Sequence, residues 1–170
     1  MAEDAAKSCH HGTPCNSMVE LMISCRDLVN MDVFSKSDPF VVAYLLTRRN
    51  TSLEWKEIGR TETLMDNLNP DFKKSFLLDF TPDEKQLLKF EVYDLDEGLL
   101  NTLLSSDASR HDFIGQYVTT LRYIVEESKG GPPLQHLLQQ KDSVRGLGTK
   151  YLGTIMVHVL EVSMKRWGVG

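Results

Sequence analysis

Hydrophobic and polar residues alternate along several short stretches of the chain. Val19, Leu21, Ile23 and Cys25 alternate with Glu20, Met22 and Ser24, the period-two pattern of a strand with one face on a core. Cys25, on the buried parity, is expected to act as a small hydrophobe. A second run goes from Phe40 to Leu45; Pro39 can open it, because a strand's first residue need not donate to the ladder. Leu53 to Glu62 predicts a hairpin with polar outer faces, and Phe76, Leu78 and Phe80 predict another strand. Leu88, Phe90 and Val92 alternate with Lys89, Glu91 and Tyr93, which predicts a half-buried strand. Asp112-Phe113-Ile114-Gly115 enters a further strand, and Ile155, Val157 and Val159 mark a last one ending near Ser163. Leu121 to Ser128 predicts one short helix, broken by Gly130-Gly131-Pro132-Pro133. About eight short strands separated by turns, with almost no helix, predict an all-β antiparallel sandwich. No repeat of solenoid length and no strand, glycine loop and helix of a nucleotide fold is present.

The loops between strands carry the acids. Asp32 and Asp38 share the connection after the first strand; Asp94, Asp96 and Asp112 flank the long connection after the strand that starts at Leu88. In a sandwich the loops at one end lie side by side. Carboxylates gathered there repel one another unless a cation sits between them, and oxygen-only ligation suits calcium, which takes about six to eight oxygens. Ordinary turn chemistry is the alternative, since Asp side chains bond their own backbone in turns.

Composition narrows the partners. A chain of 170 residues with 41% hydrophobic and 25% charged residues is one ordinary domain with a core of its own. A net charge of −5 argues against a nucleic-acid binder that relies on bulk positive charge, and two bound divalent cations would bring it to −1. No apolar run is long enough to span a bilayer, no signal-peptide layout opens the chain, and Ala2 stands where N-myristoylation needs glycine. Three cysteines, Cys9, Cys15 and Cys25, make no disulfide framework, so the cytoplasm is the expected compartment. Cys9, His10, His11 and Cys15 offer zinc ligands in no standard spacing; residues 1–17 are expected to be a disordered tail. An enzyme using paired carboxylates is disfavoured, because aromatic content of 8% gives little sugar platform and the acids form a charge-dense set on polar loops.

Ser35-Lys36-Ser37-Asp38-Pro39-Phe40, the Asn69-Pro70 turn, Tyr93-Asp94-Leu95-Asp96 and Asp112-Phe113-Ile114-Gly115 resemble the C2 calcium- and phospholipid-binding domain. Ile23-Ser24-Cys25-Arg26-Asp27-Leu28, Gly59-Arg60-Thr61-Glu62, Leu68-Asn69-Pro70-Asp71-Phe72 and Leu121 to Val125 resemble more closely the first C2 domain of the copine family. The resemblance covers roughly Met18 to Ser163. It implies an eight-stranded C2 sandwich over residues 18–164, in the permuted order of phospholipase-type members, because one strand precedes the Asp32 loop and an extra one follows the helical connection. Residues 165–170 form a tail or a linker. The second C2 domain and the von Willebrand factor A-type domain of copines are absent: Ser-Asp-Pro occurs once and no Asp-x-Ser-x-Ser is present. The chain is therefore expected to be an N-terminal fragment or a short member.

By position, the resemblance implies Ca2+ ligands at Asp32 and Asp38 in the first loop and at Asp94, Asp96 and Asp112 in the third. The interval from Asp96 to Asp112 is 16 residues, longer than in compact members, which leaves Asp107 as an alternative to Asp112. Met31, Val33 and Phe34 beside the first acids are expected either to pack inward or, as C2 domains imply, to contact a membrane; Leu99, Leu100, Leu103 and Leu104 pose the same choice. Arg48, Arg49 and Lys56 are candidates for contact with anionic lipid, worth about 1 kcal/mol each near such a surface, against the alternative of a charged edge that discourages pairing. The implied function is calcium-dependent binding to phosphatidylserine-type membranes by a non-catalytic, monomeric module. It would move from the cytoplasm to the plasma membrane or other membranes when calcium rises. A calcium-insensitive protein-interaction domain is the alternative.

Overall fold

The computed structural model describes residues 17–95, 111–128, 131–141 and 150–164, with the side chains of the last strand described as far as Leu160. Asp96, Asp107, the four leucines from Leu99 to Leu104, and the Cys9, His10, His11 and Cys15 set lie outside the described residues.

Eight strands and one helix follow in order: β1 (Ser17–Arg26), β2 (Pro39–Arg49), β3 (Ser52–Arg60), β4 (Phe76–Phe80), β5 (Leu87–Asp94), β6 (Asp112–Thr120), α1 (Leu121–Glu127), β7 (Leu134–Leu137) and β8 (Thr154–Met164). They build two four-stranded sheets, ordered β4-β1-β8-β7 and β3-β2-β5-β6, and every pairing is antiparallel. The last strand lies beside the first, as the permuted order requires.

The alternating residues supply the layer between the sheets. Val19, Leu21, Ile23 and Cys25 from β1 meet Phe76, Leu78 and Phe80 from β4, Leu88, Phe90 and Val92 from β5, and Ile155 and Val157 from β8. Burial pushes the Cys25 thiol far up, so it stays protonated and apolar. The helix α1 closes one end through Leu121, Ile124 and Val125, spaced three and four apart on one face, and the Thr120 hydroxyl caps it by accepting from the Tyr123 amide.

Two elements differ from the sequence reading. The polar run from Leu53 to Glu62 is not a hairpin in itself; β2 continues through Arg48 and Arg49, and Leu53–Arg60 belongs to the returning arm. The reversal falls at Asn50, whose φ of 55° is tolerated by Asn. The strand β7 has no period-two pattern, and only its ladder to β8 defines it.

A second cluster occupies the outer face of the β2–β5–β6 sheet, where Phe40, Val42 and Tyr93 are buried with Tyr44, Leu95 and Phe113 against them. The polar face expected for β5 is therefore covered: Glu91 and Tyr93 are each only 3% exposed. Both faces of β2 near Pro39 are buried, since Val41 and Ala43 point to the inner core.

Gly153 holds the base of the first loop close to β8. Its φ is +116°, and a Cβ there would stand 2.9 Å from Leu28 Cα and 2.9 Å from Leu28 Cδ2. Gly153→Ala is expected to destabilise the domain by about 1–3 kcal/mol, the usual scale of strained backbone, read as a lowered midpoint in urea unfolding; an unchanged midpoint would contradict this packing.

Candidate metal site at the loop end of the sandwich

The ladder itself gathers the predicted acids. Pro39 pairs with Asp94, and Asp94 pairs with Asp112 across β5 and β6, so the ends of three strands bring Asp38, Asp94 and Asp112 to one rim. Asp94 leaves the sheet on the buried parity of Phe90 and Val92, and is 3% exposed; Asp38 is 4% exposed. The Asp38 amide donates to Asp94 Oδ1 at 2.6 Å, a short charge-assisted bond that ties loop 1 (residues 27–38) to the end of β5.

Loop 1 is held from within by Asn30. Its Oδ1 accepts from the amide and hydroxyl of Ser37 at 2.8 and 3.2 Å, and its Nδ2 donates to the carbonyls of Asp32 and Ser35 at 3.0 and 2.8 Å. The Met31 amide donates to Ser37 Oγ at 2.9 Å, and Ser35 Oγ donates to Asp32 Oδ2 at 2.9 Å. The base of the loop is pinned to the Asn67–Pro70 turn, with Leu28 N–H on the Leu68 carbonyl and Asp27 N–H on Asn69 Oδ1.

Asp66, absent from the expected set, joins the two loops. Its amide donates to Asp38 Oδ1 at 2.6 Å while its own Oδ1 accepts from the Lys36 amide at 3.1 Å. Its φ of 51° is one Asp tolerates better than most residues. No spacing in the sequence could connect Asp66 to Asp38; the nearby Asn-Leu-Asn-Pro turn was the only signal.

The electrostatics fit a hard cation. Burial raises the Asp94 carboxyl above its ordinary range; bonds from Ser37 and the Asp38 amide lower it, and the charges of Asp32 and Asp38 raise it again, with the net shift upward. Ionised Asp94 is thus short of positive charge, which an oxygen-seeking divalent ion supplies. Asp32 and Asp112 are exposed at the same end. Among the described residues, no three His, Cys, Asp or Glu side chains are already drawn together as a finished metal site.

The apolar candidates stand outward. Met31 is 40% exposed, Val33 87% and Phe34 102%, so none of the three packs into the core. Met65, one residue before Asp66, is 56% exposed on the neighbouring loop and was not anticipated.

The three basic candidates do not share a surface. Arg49 pairs with Ser52 and Leu45 with Lys56, whereas Arg48 pairs with Leu53. Arg49 and Lys56 therefore point to one side of the β2–β3 ribbon and Arg48 to the other. The better-organised cations are Lys89 and Lys141, on the outer face of the sheet. Lys89 Nζ lies 2.9 Å from Glu91 Oε1 and over the rings of Tyr44 and Trp55, 4.6 and 5.0 Å from their centroids. Lys141 Nζ approaches the same oxygen at 3.6 Å.

The two sheets, their strand order and the loop-end acids are those of a C2 domain. The C2 domain family model matches residues 17–136, and the chain belongs to that family. Nicotinic receptor-associated protein 1 of Caenorhabditis elegans is 43% identical over 123 residues, covering 65% of this chain and 19% of that protein. Copine-B of Dictyostelium discoideum is 38% identical over 109 residues, covering 64% and 20%, in line with the resemblance to copines read from the motifs. The chain thus spans about a fifth of the length of the curated relatives it matches. Among solved structures, the C2A domain of plant extended synaptotagmin 1 superposes with a TM-score of 0.55 at 20% identity, over 92% of this chain and 99% of that one. BON1-C2B does so with 0.58 at 19% identity, over 95% and 100%. These likenesses establish the fold.

Glu91 anchors the strand that delivers Asp94. Burial acts to raise its carboxyl, but the Tyr93 hydroxyl at 2.6 Å and Lys89 more than offset this, and the net shift is downward from 4.5. A carboxyl lowered on folding stabilises the protein above its unfolded value, and that contribution is lost as pH falls through the folded one. Glu91→Gln is expected to cost about 3 kcal/mol at neutral pH, the scale of breaking a buried pair. In urea unfolding the gap to the parent should narrow below pH 4.5; a gap independent of pH would show that the charge is not what matters.

Proposed function

We propose that this C2 domain is a calcium-dependent, phospholipid-binding module that targets a copine-like protein to membranes in calcium-regulated trafficking or signalling. The observation that carries the reading is the clasp between Asp38 and the buried, proton-favouring Asp94, set beside an apolar tip at Val33 and Phe34. Asp32, Asp38 and Asp94, with Asp96 and Asp112, would hold Ca2+. The bound ion supplies positive charge and open coordination positions that suit the phosphate of a phosphatidylserine-type headgroup.

The chain's own residues do the rest. At rest the acids repel an anionic surface, and the clasp keeps loop 1 in the shape in which its tip points outward. Val33 and Phe34, already free of the core, each gain about 1.5–3 kcal/mol if fully buried in lipid. Met31, at 40% exposed, offers less apolar surface than the other two. Arg48 and Arg49 close the far end of β2 from the loop acids, so with Lys56 they would add contacts to anionic headgroups only where the domain lies along the surface. The module is a binding switch and not a catalyst; it rests in the cytoplasm and moves to the plasma membrane or other membranes as calcium rises.

A calcium-insensitive protein-interaction domain is the second reading. Its support is that Asp38 and Asp94 already accept backbone hydrogen bonds and that no three acids are drawn together among the described residues.

Co-sedimentation with phosphatidylserine vesicles separates the two. The parent chain is expected in the pellet with calcium and in the supernatant with chelator, and Asp32→Asn with Asp94→Asn is expected to stay in the supernatant in both. Val33→Ser with Phe34→Ser should retain calcium binding by calorimetry while losing vesicle binding at high salt. Sedimentation indifferent to calcium and to the aspartate substitutions would select the interaction domain.

A further inference from the structure

The end of the β2–β3 ribbon stands apart from its sheet. β2 pairs with β5 only as far as Leu45 and Leu88, whereas its pairing with β3 runs on through Leu46–Trp55, Thr47–Glu54, Arg48–Leu53 and Arg49–Ser52. The ribbon therefore ends in a two-stranded arm, and a hairpin without further neighbours is only marginally stable. Every residue from Arg48 to Glu54 is exposed, and none of them belongs to either core cluster. Asn50, at φ 55°, and Thr51 make the reversal. Ser52 Oγ donates to the Arg49 carbonyl at 3.1 Å, while the Thr51 hydroxyl has no partner among the described residues. Arg49 Nη1 stands 3.9 Å from Glu54 Oε1, an exposed contact of little strength.

We infer that Thr51 is a phosphorylation site for a protein kinase that selects arginine. Arg48 and Arg49 stand three and two residues before its hydroxyl. Kinases choose substrates by charge pattern, and a guanidinium is the cation that an acidic subsite holds by two parallel hydrogen bonds. In an extended chain the two arginines project to opposite sides, so each enters a subsite of its own while Thr51 reaches the active site. The arm opens for this without disturbing either core, since ribbon pairs alone hold it. In the transfer Thr51 Oγ1 attacks the γ-phosphorus of ATP and the bond from that phosphorus to the β–γ bridging oxygen breaks. ADP leaves, and the hydroxyl proton passes to the kinase's catalytic carboxylate. The new group carries a charge of about −1.5 to −2 at pH 7, which offsets the charges of Arg48 and Arg49. Its consequence rests on the membrane reading proposed above: the two arginines are withdrawn from anionic headgroups, and the loop-end acids are untouched.

The test is incubation of the full chain with ATP, magnesium and the catalytic subunit of cAMP-dependent protein kinase, with the site read from fragment mass spectra. One phosphate is expected, on Thr51. Thr51→Ala should abolish it, and Ser52→Ala should leave it unchanged. Arg48→Ala with Arg49→Ala, both at exposed side chains, is expected to slow its entry by about tenfold or more with an unchanged urea midpoint. The site is overturned if no phosphate enters, if it enters elsewhere with Thr51 unmodified, or if the arginine substitutions leave the rate as it was. The phosphorylated chain is expected to bind phosphatidylserine vesicles in calcium at least about fivefold more weakly at low salt. Sedimentation equal to that of the unmodified chain would overturn the withdrawal of the arginines. A parent chain that never sediments would sink the membrane reading, while the mass spectra would still decide the site.

Discussion

A single buried carboxylate organises the functional end of this domain. Asp94 continues the inward parity of β5, yet it ends among loops, where its Oδ1 accepts the amide of Asp38. Asp38 in turn accepts the amide of Asp66, and Asp66 accepts that of Lys36. Three side chains of the same type thus add to the backbone bond from the Leu95 amide to the Asp38 carbonyl, just where β2 and β5 run out. Asp38 and Asp94 carry buried negative charge, while Asp66 is exposed, and Asp94's upward shift reports the cost of that burial. Fold and candidate site are therefore one problem: the loops are positioned by groups that would be better satisfied with a metal between them.

Much of the sandwich was legible because its strands have a single core face. The alternation in β1, β4, β5 and β8 marks the residues that the structure buries between the sheets. Where a strand is held from outside, the pattern fails. Glu91 and Tyr93 look solvent-facing by period, but Phe113 from β6 and the lysine stems cover them. The strand β7 is too short to show a period and exists through its ladder alone. The bulge between Ala43 and Tyr44 shifts the register of β3, so the faces of Arg48, Arg49 and Lys56 follow from the pairing and not from their order in the chain.

The candidate site was legible to a lesser degree and for a different reason. Family motifs point to Asp38 and Asp94, and strand register explains why they meet. Asn30 and Asp66 were invisible because they act through backbone amides and carbonyls, which any residue presents and no spacing encodes. The exposure of Val33 and Phe34 also needed the structure, since a loop hydrophobe can turn either way until its neighbours' hydrogen bonds fix the backbone.

One sheet contains both extremes of substitution tolerance. Around Pro39 to Ala43, β2 has no solvent face: Val41 and Ala43 fill one core, Phe40 and Val42 the other. Its neighbour β3 has no buried residue, and from Ser52 to Glu57 all but Trp55 are exposed. Genetic drift should run more freely through that part of β3 and stall one strand away. The segment that follows Ser-Asp-Pro would then change slowly for reasons of packing alone, and sequence constancy there would be a poor guide to metal binding.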